Sequence, residues 1–144
     1  MGNKSKRKQL IMKRNYYVCS VGDPNAGTNY DTQNLMRCIV NCCFVINEGA
    51  KQIALLDDIK IGDILILKYK NEFIAYGSAS SPRINKDLGG GWNNVIEMNT
   101  WIVGKHAGKY GIQKAREEGG AQSAIKKINR DFALSKIEEI GLTV

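Results

Sequence analysis

The chain has 144 residues, 43% of them hydrophobic and 24% charged, with a formal net charge of +7. That is length enough for one domain with a real core. No apolar run approaches the roughly 20 residues that a membrane-spanning helix needs, and no apolar segment follows the basic start as it would in a signal peptide. The expectation is a cytoplasmic protein without a membrane partner.

The charge is unevenly placed. Residues 1–14 hold Lys4, Lys6, Arg7, Lys8, Lys13 and Arg14 and no acid, whereas residues 15–103 carry seven bases against nine acids. The chain therefore divides into a basic tail, 1–14, predicted to be disordered, and a single domain over 15–144. A tail of this kind serves either as a phosphate anchor or as a solubilising terminus. The last third is basic again, and several of its lysines and arginines lie among glycines.

In chain order, Asn15 to Val21 is aromatic, β-branched and short, which predicts a strand. Gly22 to Asn29 is a loop dense in turn residues. Asp31 or Thr32 can cap the helix that follows, since their side-chain oxygens accept orphan backbone N–H groups. From Gln33 to Cys43, Leu35, Ile39 and Cys42 recur at helical spacing. Phe44-Val45-Ile46 returns to extended chain, and Lys51 to Leu56 is a helical turn or a connector. Lys60 to Ser80 reads as a hairpin: Gly62-Asp63 turns the chain, Ile64 to Leu67 is an apolar run, and Asn71-Glu72 reverses it. Apolar residues on both faces place its first arm inside a sheet. Gly77, Ser78 and Ala79 leave room beside the second arm for a ligand or another backbone. Ser81 to Gly91 is predicted to be a flexible loop, and Val95 to Val103 a continuous strand. Gly104 to Gly120 is too glycine-rich for a long helix. Ala121 to Ile128 is open between strand and helix. Asn129 caps a last helix over Arg130–Ile140, which Gly141 ends. Strands outnumber helices, which gives an α+β domain on a small, mixed, mostly antiparallel β pseudo-barrel flanked by helices.

Several chemistries have no support. The chain has no phosphate-binding G-x-x-x-x-G-K-[ST] loop and no G-x-S-x-G elbow, and Gly89-Gly90-Gly91 does not open a helix. Cys19, Cys38, Cys42 and Cys43 lack paired zinc spacing and are read as small buried thiols. His106 is the one histidine, set in a Gly/Lys loop. No catalytic residue, metal site or cofactor is assigned, and the chain is not read as an enzyme. What stands out is a set of aromatics beside small polar residues. Trp92 follows three glycines, and a bulky apolar residue there must either pack or bind something. Tyr30, Phe44 and Tyr76 lie near loops, while Trp101 sits in a predicted strand. Flat walls and a few polar groups are what a flipped nucleobase needs.

Tyr16-Tyr17-Val18 before a Gly/Asn loop and a helix, Ile61-Gly62-Asp63-Ile64-Leu65, Ala75-Tyr76-Gly77, and Trp92 ahead of Trp101-Ile102 together resemble the PUA-like superfamily. The resemblance is to its EVE and YTH branches and spans roughly Tyr16 to Val103. The segment from Gly119 to Ile140 is similar to extensions on EVE-like modules of McrBC-type modification-dependent restriction systems. The resemblance implies a modified-base pocket. Trp92 stands for its loop tryptophan and Phe44 for the aromatic after the helix. Tyr30 stands for the residue at the helix start, and Ser20, Asp23 and Asn29 for polar contacts to the base edge. With Gly77 and Ser78 as floor, these are the expected base-binding residues.

The resulting expectation is a non-catalytic nucleic-acid-binding module that reads a modified base, with methylated DNA favoured over RNA. Lys105, Lys109, Arg116 and Lys126 would hold phosphates. The resemblance also implies an effector domain or subunit as partner. Two rivals are an ASCH-like hydrolase of modified nucleosides, using Lys68, Glu97 and Thr100, and a protein-interaction module in which Trp92 docks a partner chain.

Overall fold

The computed structural model describes residues 14–21, 32–48, 53–69, 72–104 and 125–141. In chain order these form β1 (Tyr16–Ser20), α1 (Thr32–Val40), β2 (Cys43–Asn47), α2 (Ile53–Leu56), β3 (Ile64–Tyr69), β4 (Glu72–Asn85), β5 (Trp92–Met98), β6 (Ile102–Val103), β7 (Ile125–Ile128) and α3 (Arg130–Gly141). The strands follow the path β2-β5-β4-β3-β1-β7, with β6 also on β4. Among the described residues every pairing is antiparallel except β1 with β3. The result is a mixed α+β fold on a seven-stranded, mostly antiparallel open sheet, as expected from the sequence.

The hairpin of β3 and β4 is at its centre. Gly62, at φ 94°, makes the entry turn. The buried Asp63 carboxylate accepts the backbone N–H groups of Lys60 (2.9 Å) and Asn15 (3.1 Å), tying that turn to the start of β1. Leu65 and Leu67 pack into the main core with Tyr17 and Cys19, while Ile66 joins Val18 and Phe73 on the other face. Both faces of β3 are thus covered, as its continuous apolar run requires. Helix α1 lies against β2, and α3 lies against β4, β1 and β6. Asn129 caps α3, its Oδ1 accepting the Phe132 N–H at 2.8 Å.

Two stretches depart from the sequence expectation. The predicted loop at Ser81–Gly91 is strand as far as Asn85. Pro82 cannot donate to a ladder, but the register with β5 shifts between Ala79 and Arg83, so the proline sits in an irregularity. There the Ser81 hydroxyl accepts the Glu97 N–H at 3.0 Å in place of a backbone carbonyl. The second departure is the predicted single strand Val95–Val103, which is broken at Asn99–Trp101. Gly77 is the reason: a Cβ there would run into the Thr100 carbonyl oxygen, so the chain crosses β4 where β4 has no side chain. Residues 121–128, left open between helix and strand, include β7, paired with β1 from Tyr16 to Cys19. Asn71 of the expected Asn71-Glu72 reversal, the tail and the Gly-rich 105–120 lie outside the described residues.

Candidate functional site

Trp92 begins β5 directly after three glycines, all at positive φ (94°, 61° and 83°), a run that only glycine adopts without strain. The turn is nevertheless well tied. Leu88 N–H donates to the Trp92 carbonyl (2.9 Å), Trp92 N–H to Gly89 (3.1 Å) and Glu48 N–H to Gly91 (2.8 Å). Asn47 Nδ2 donates to the Gly90 carbonyl at 3.1 Å, and Asn93 Nδ2 to Glu48 Oε2 at 3.1 Å. The indole is half-buried and packs against the main core from one side. Across its ring lies the guanidinium of Arg37, with Cζ 4.9 Å from the centroid.

Arg37 comes from α1. Its Nη1 donates to Asn34 Oδ1 at 3.2 Å, and Asn34, one turn earlier, is only 3% exposed. The end of α1 is fixed too. Asn41 donates to the Arg37 carbonyl through both its backbone N–H (3.1 Å) and its side chain (2.8 Å), and Cys42 takes a left-handed φ of 49° that closes the helix. Trp101 then spans the junction: its Nε1–H is shared by the carbonyls of Cys38 and Cys43, 3.2 Å from each. One of these acceptors is a helix-end carbonyl that has no partner inside the helix.

The cysteines are free thiols, three buried and Cys42 half-buried. Cys38 and Cys43 share a side-chain hydrogen bond, which pushes the Cys38 thiol up and the Cys43 thiol down from the ordinary range. Among the described residues no group of three or more His, Cys, Asp or Glu side chains could hold a metal ion.

The sequence-predicted base contacts separate in space. Asp23, Asn29 and Tyr30 lie outside the described residues, as do the expected phosphate contacts Lys105, Lys109 and Arg116. Lys126 is exposed on β7. Trp92 and Phe44 both join the main core, but Phe44 is wholly buried. It pairs with Ile96, whereas Trp92 pairs with Asn47, so the two aromatics are about 10 Å apart along β2. The space beside Gly77 is filled by the Thr100 carbonyl. Ser20 and Ser78 alternate with residues of the main core and so face the α3 side, away from Trp92. Ser78 Oγ accepts from Asn99 Nδ2 at 2.8 Å. The Ser20 hydroxyl is buried, with no hydrogen-bond partner among the described residues.

The residues of the hydrolase reading do not converge either. Lys68 pairs with Phe73 near one end of β4, while Glu97 bonds Ser81 far along the same strand, roughly 25 Å of chain away. Lys68 is 2% exposed, and burial pushes its ammonium down to about 8. Glu97 meets Lys86 at 3.9 Å instead, and Thr100 is exposed.

Sequence reasoning missed Arg37 and Asn34. Their signal was present but weak: Asn34, Arg37 and Asn41 recur at three and four residues, a polar stripe beside the apolar one. Only the tertiary contact with Trp92 gives that stripe a meaning.

No protein-family model matches the chain, and no curated protein matches it in sequence. Solved structures do. The YTH domain of Zygosaccharomyces rouxii MRB1, in complex with N6-methyladenosine RNA, matches at a TM-score of 0.60 and 11% identity, over 92% of this chain and 90% of that one. The Pho92 YTH domain in complex with m6A matches at 0.60 and 9%, over 88% and 86%. The Mmi1 YTH domain in complex with RNA matches at 0.58 and 11%, over 90% and 79%. The fold is YTH-like. At such identities the likeness concerns backbone architecture, and within this YTH-like fold Trp92 and Arg37 are the described pair of a half-exposed indole and a flat polar side chain.

Proposed function

We propose that this chain is a non-catalytic nucleic-acid-binding module that reads a methylated base by stacking it on Trp92. The observation that carries the reading is the Trp92–Arg37 stack. A planar, delocalised group already rests on a half-buried indole whose backbone is held by a bonded glycine turn. A purine or pyrimidine ring needs a surface of that kind, and stacking on an aromatic side chain contributes about 1–3 kcal/mol per base. The YTH-like architecture supports the same reading, since YTH domains with this backbone were solved with N6-methyladenosine RNA. The ligand assigned is N6-methyladenine in a single-stranded nucleic acid. The solved neighbours favour RNA, and the resemblance to restriction modules favours DNA and an effector partner, so both polymers belong in the test.

The experiment measures fluorescence anisotropy of short labelled oligonucleotides, RNA and DNA, with and without N6-methyladenine, against the full chain in low salt. Methylated oligonucleotides are expected to bind more tightly than plain ones. Trp92→Ala is expected to weaken that binding by roughly tenfold or more, the loss of one stacked base, while circular dichroism stays native. No binding of any oligonucleotide overturns the reading. Binding that ignores both methylation and Trp92→Ala reduces the surface to a phosphate contact.

A further inference from the structure

We infer that Arg83 is a positioning residue for the Trp92 site, acting through a directional chain of side-chain hydrogen bonds, Arg83–Asn94–Asn93–Glu48, that ends on the glycine turn. Its effect on affinity rests on the base-stacking reading of Trp92, whereas the chain of bonds is read out without a ligand. Arg83 Nη1 donates to Asn94 Oδ1 at 3.0 Å, Asn94 Nδ2 to Asn93 Oδ1 at 3.1 Å, and Asn93 Nδ2 to Glu48 Oε2 at 3.1 Å. The two ends agree chemically. A guanidinium only donates, so Asn94 turns its oxygen to Arg83 and its nitrogen to Asn93. Asn93 then offers its own nitrogen to Glu48, whose carboxylate only accepts. Neither amide can flip without setting donor against donor or acceptor against acceptor. Arg83 is anchored as well, its Nε donating at 2.6 Å to Oδ1 of Asp57, the residue after α2. Asn94 is buried.

The far end of the chain bears on Trp92. The β2–β5 register passes from Ile46–Asn94 to Asn47–Trp92 and skips Asn93, so the bond from Asn93 to Glu48 ties the strands where the ladder does not. Glu48 then fixes Gly91 twice. Its N–H donates to the Gly91 carbonyl at 2.8 Å, and its Cγ and Cδ lie over Gly91, 3.3 Å from where a Cβ would stand. Three successive glycines have much backbone freedom to lose. An indole carried by a turn that is in place for part of the time binds a base with affinity reduced by that fraction.

The test compares Arg83→Met, which keeps a long side chain but donates nothing, with Asp57→Asn, which removes the opposite charge and leaves Arg83 its bond to Asn94. Amide hydrogen exchange of the full chain is followed by NMR. Arg83→Met is expected to speed exchange at Glu48 and Trp92, whose N–H groups bond into the glycine turn. The factor is roughly three- to tenfold, the worth of one hydrogen bond. Exchange at Val21, bonded to the Lys68 carbonyl on β3, is expected to stay unchanged, and Asp57→Asn to leave all three near wild type. With an oligonucleotide carrying N6-methyladenine, Arg83→Met is expected to lower affinity by a similar factor, and to lower it no further when combined with Trp92→Ala. Unchanged exchange at Glu48 and Trp92, an equal change at Val21, or Asp57→Asn matching Arg83→Met overturns the chain and leaves the reader standing. An affinity loss that persists in the Trp92→Ala background overturns the positioning role. Faster exchange at the turn with no binding of any oligonucleotide supports the chain and overturns the reader.

Discussion

Gly77 and Lys68 show how differently two residues on neighbouring strands constrain the molecule. At Gly77 an added methyl group meets the Thr100 backbone, which has no flexible end to swing away. Gly77→Ala is therefore expected to destabilise the fold by about 3 kcal/mol or more. Gly89→Ala, whose new Cβ would meet nothing within 4 Å, carries only the penalty of positive φ, about 1–2 kcal/mol. Urea titration of the two variants separates the effects. Lys68 acts through protons. Its folded-state pKa of about 8 lies below the ordinary 10.5, so between those values the unfolded chain binds more protons and stability rises with pH. The buried thiols of Cys19 and Cys38 and the Tyr17 phenol, raised to about 12, act in the opposite sense at higher pH. The comparison is therefore best made between pH 7 and 9, as a difference between variants. Lys68→Met is expected to be more stable than wild type at pH 7 by about 1–3 kcal/mol. That margin should shrink as pH rises through 8, and thermal melts across the range would show it.

At the scale of elements, Trp101 is the joint between α1 and β2. One indole N–H serves two carbonyls, and Trp101→Phe leaves both without it. The expected cost is about 1–2 kcal/mol, with faster hydrogen exchange at the amides of Cys42 and Met98, whose bonds lie beside the joint. The elements themselves were legible where local pattern and tertiary need agree. The run Ile64–Leu67, the Asn129 cap and the helical spacing in α1 all describe what forms. Legibility failed where a distant backbone decides. Pro82 argued for a loop, yet an irregularity and one serine hydroxyl let β4 continue past it. Val95–Val103 has unbroken strand character, but the missing side chain of Gly77 lets the chain cross there. The room at Gly77 was read as space for a ligand or another backbone, and then as the floor of a base pocket; the backbone of Thr100 fills it.

For the whole molecule, the order of short motifs along the chain was enough to point to a YTH-type fold, although identity to the solved YTH domains is only 9–11%. Backbone architecture depends on where apolar and turn residues fall, and many sequences satisfy that pattern. A site depends on which side chains meet, and that is set by curvature and register. Trp92 was singled out from its three glycines alone, whereas its partner Arg37 became visible only when α1, packed on β2, brought the guanidinium over the indole. The pairing of β1 with both β3 and β7 has a consequence of another kind. Tyr16 is bonded in register to Ile64 on one side and to Ile128 on the other, so the first strand waits for segments made much later. During synthesis β1 can enter the sheet only after β3 emerges, and its second edge stays open until β7 does. Such long-range closure makes folding slow. The nascent chain meanwhile carries an unpaired strand edge beside Val18, Ile66 and Phe73, the apolar residues that α3 covers last.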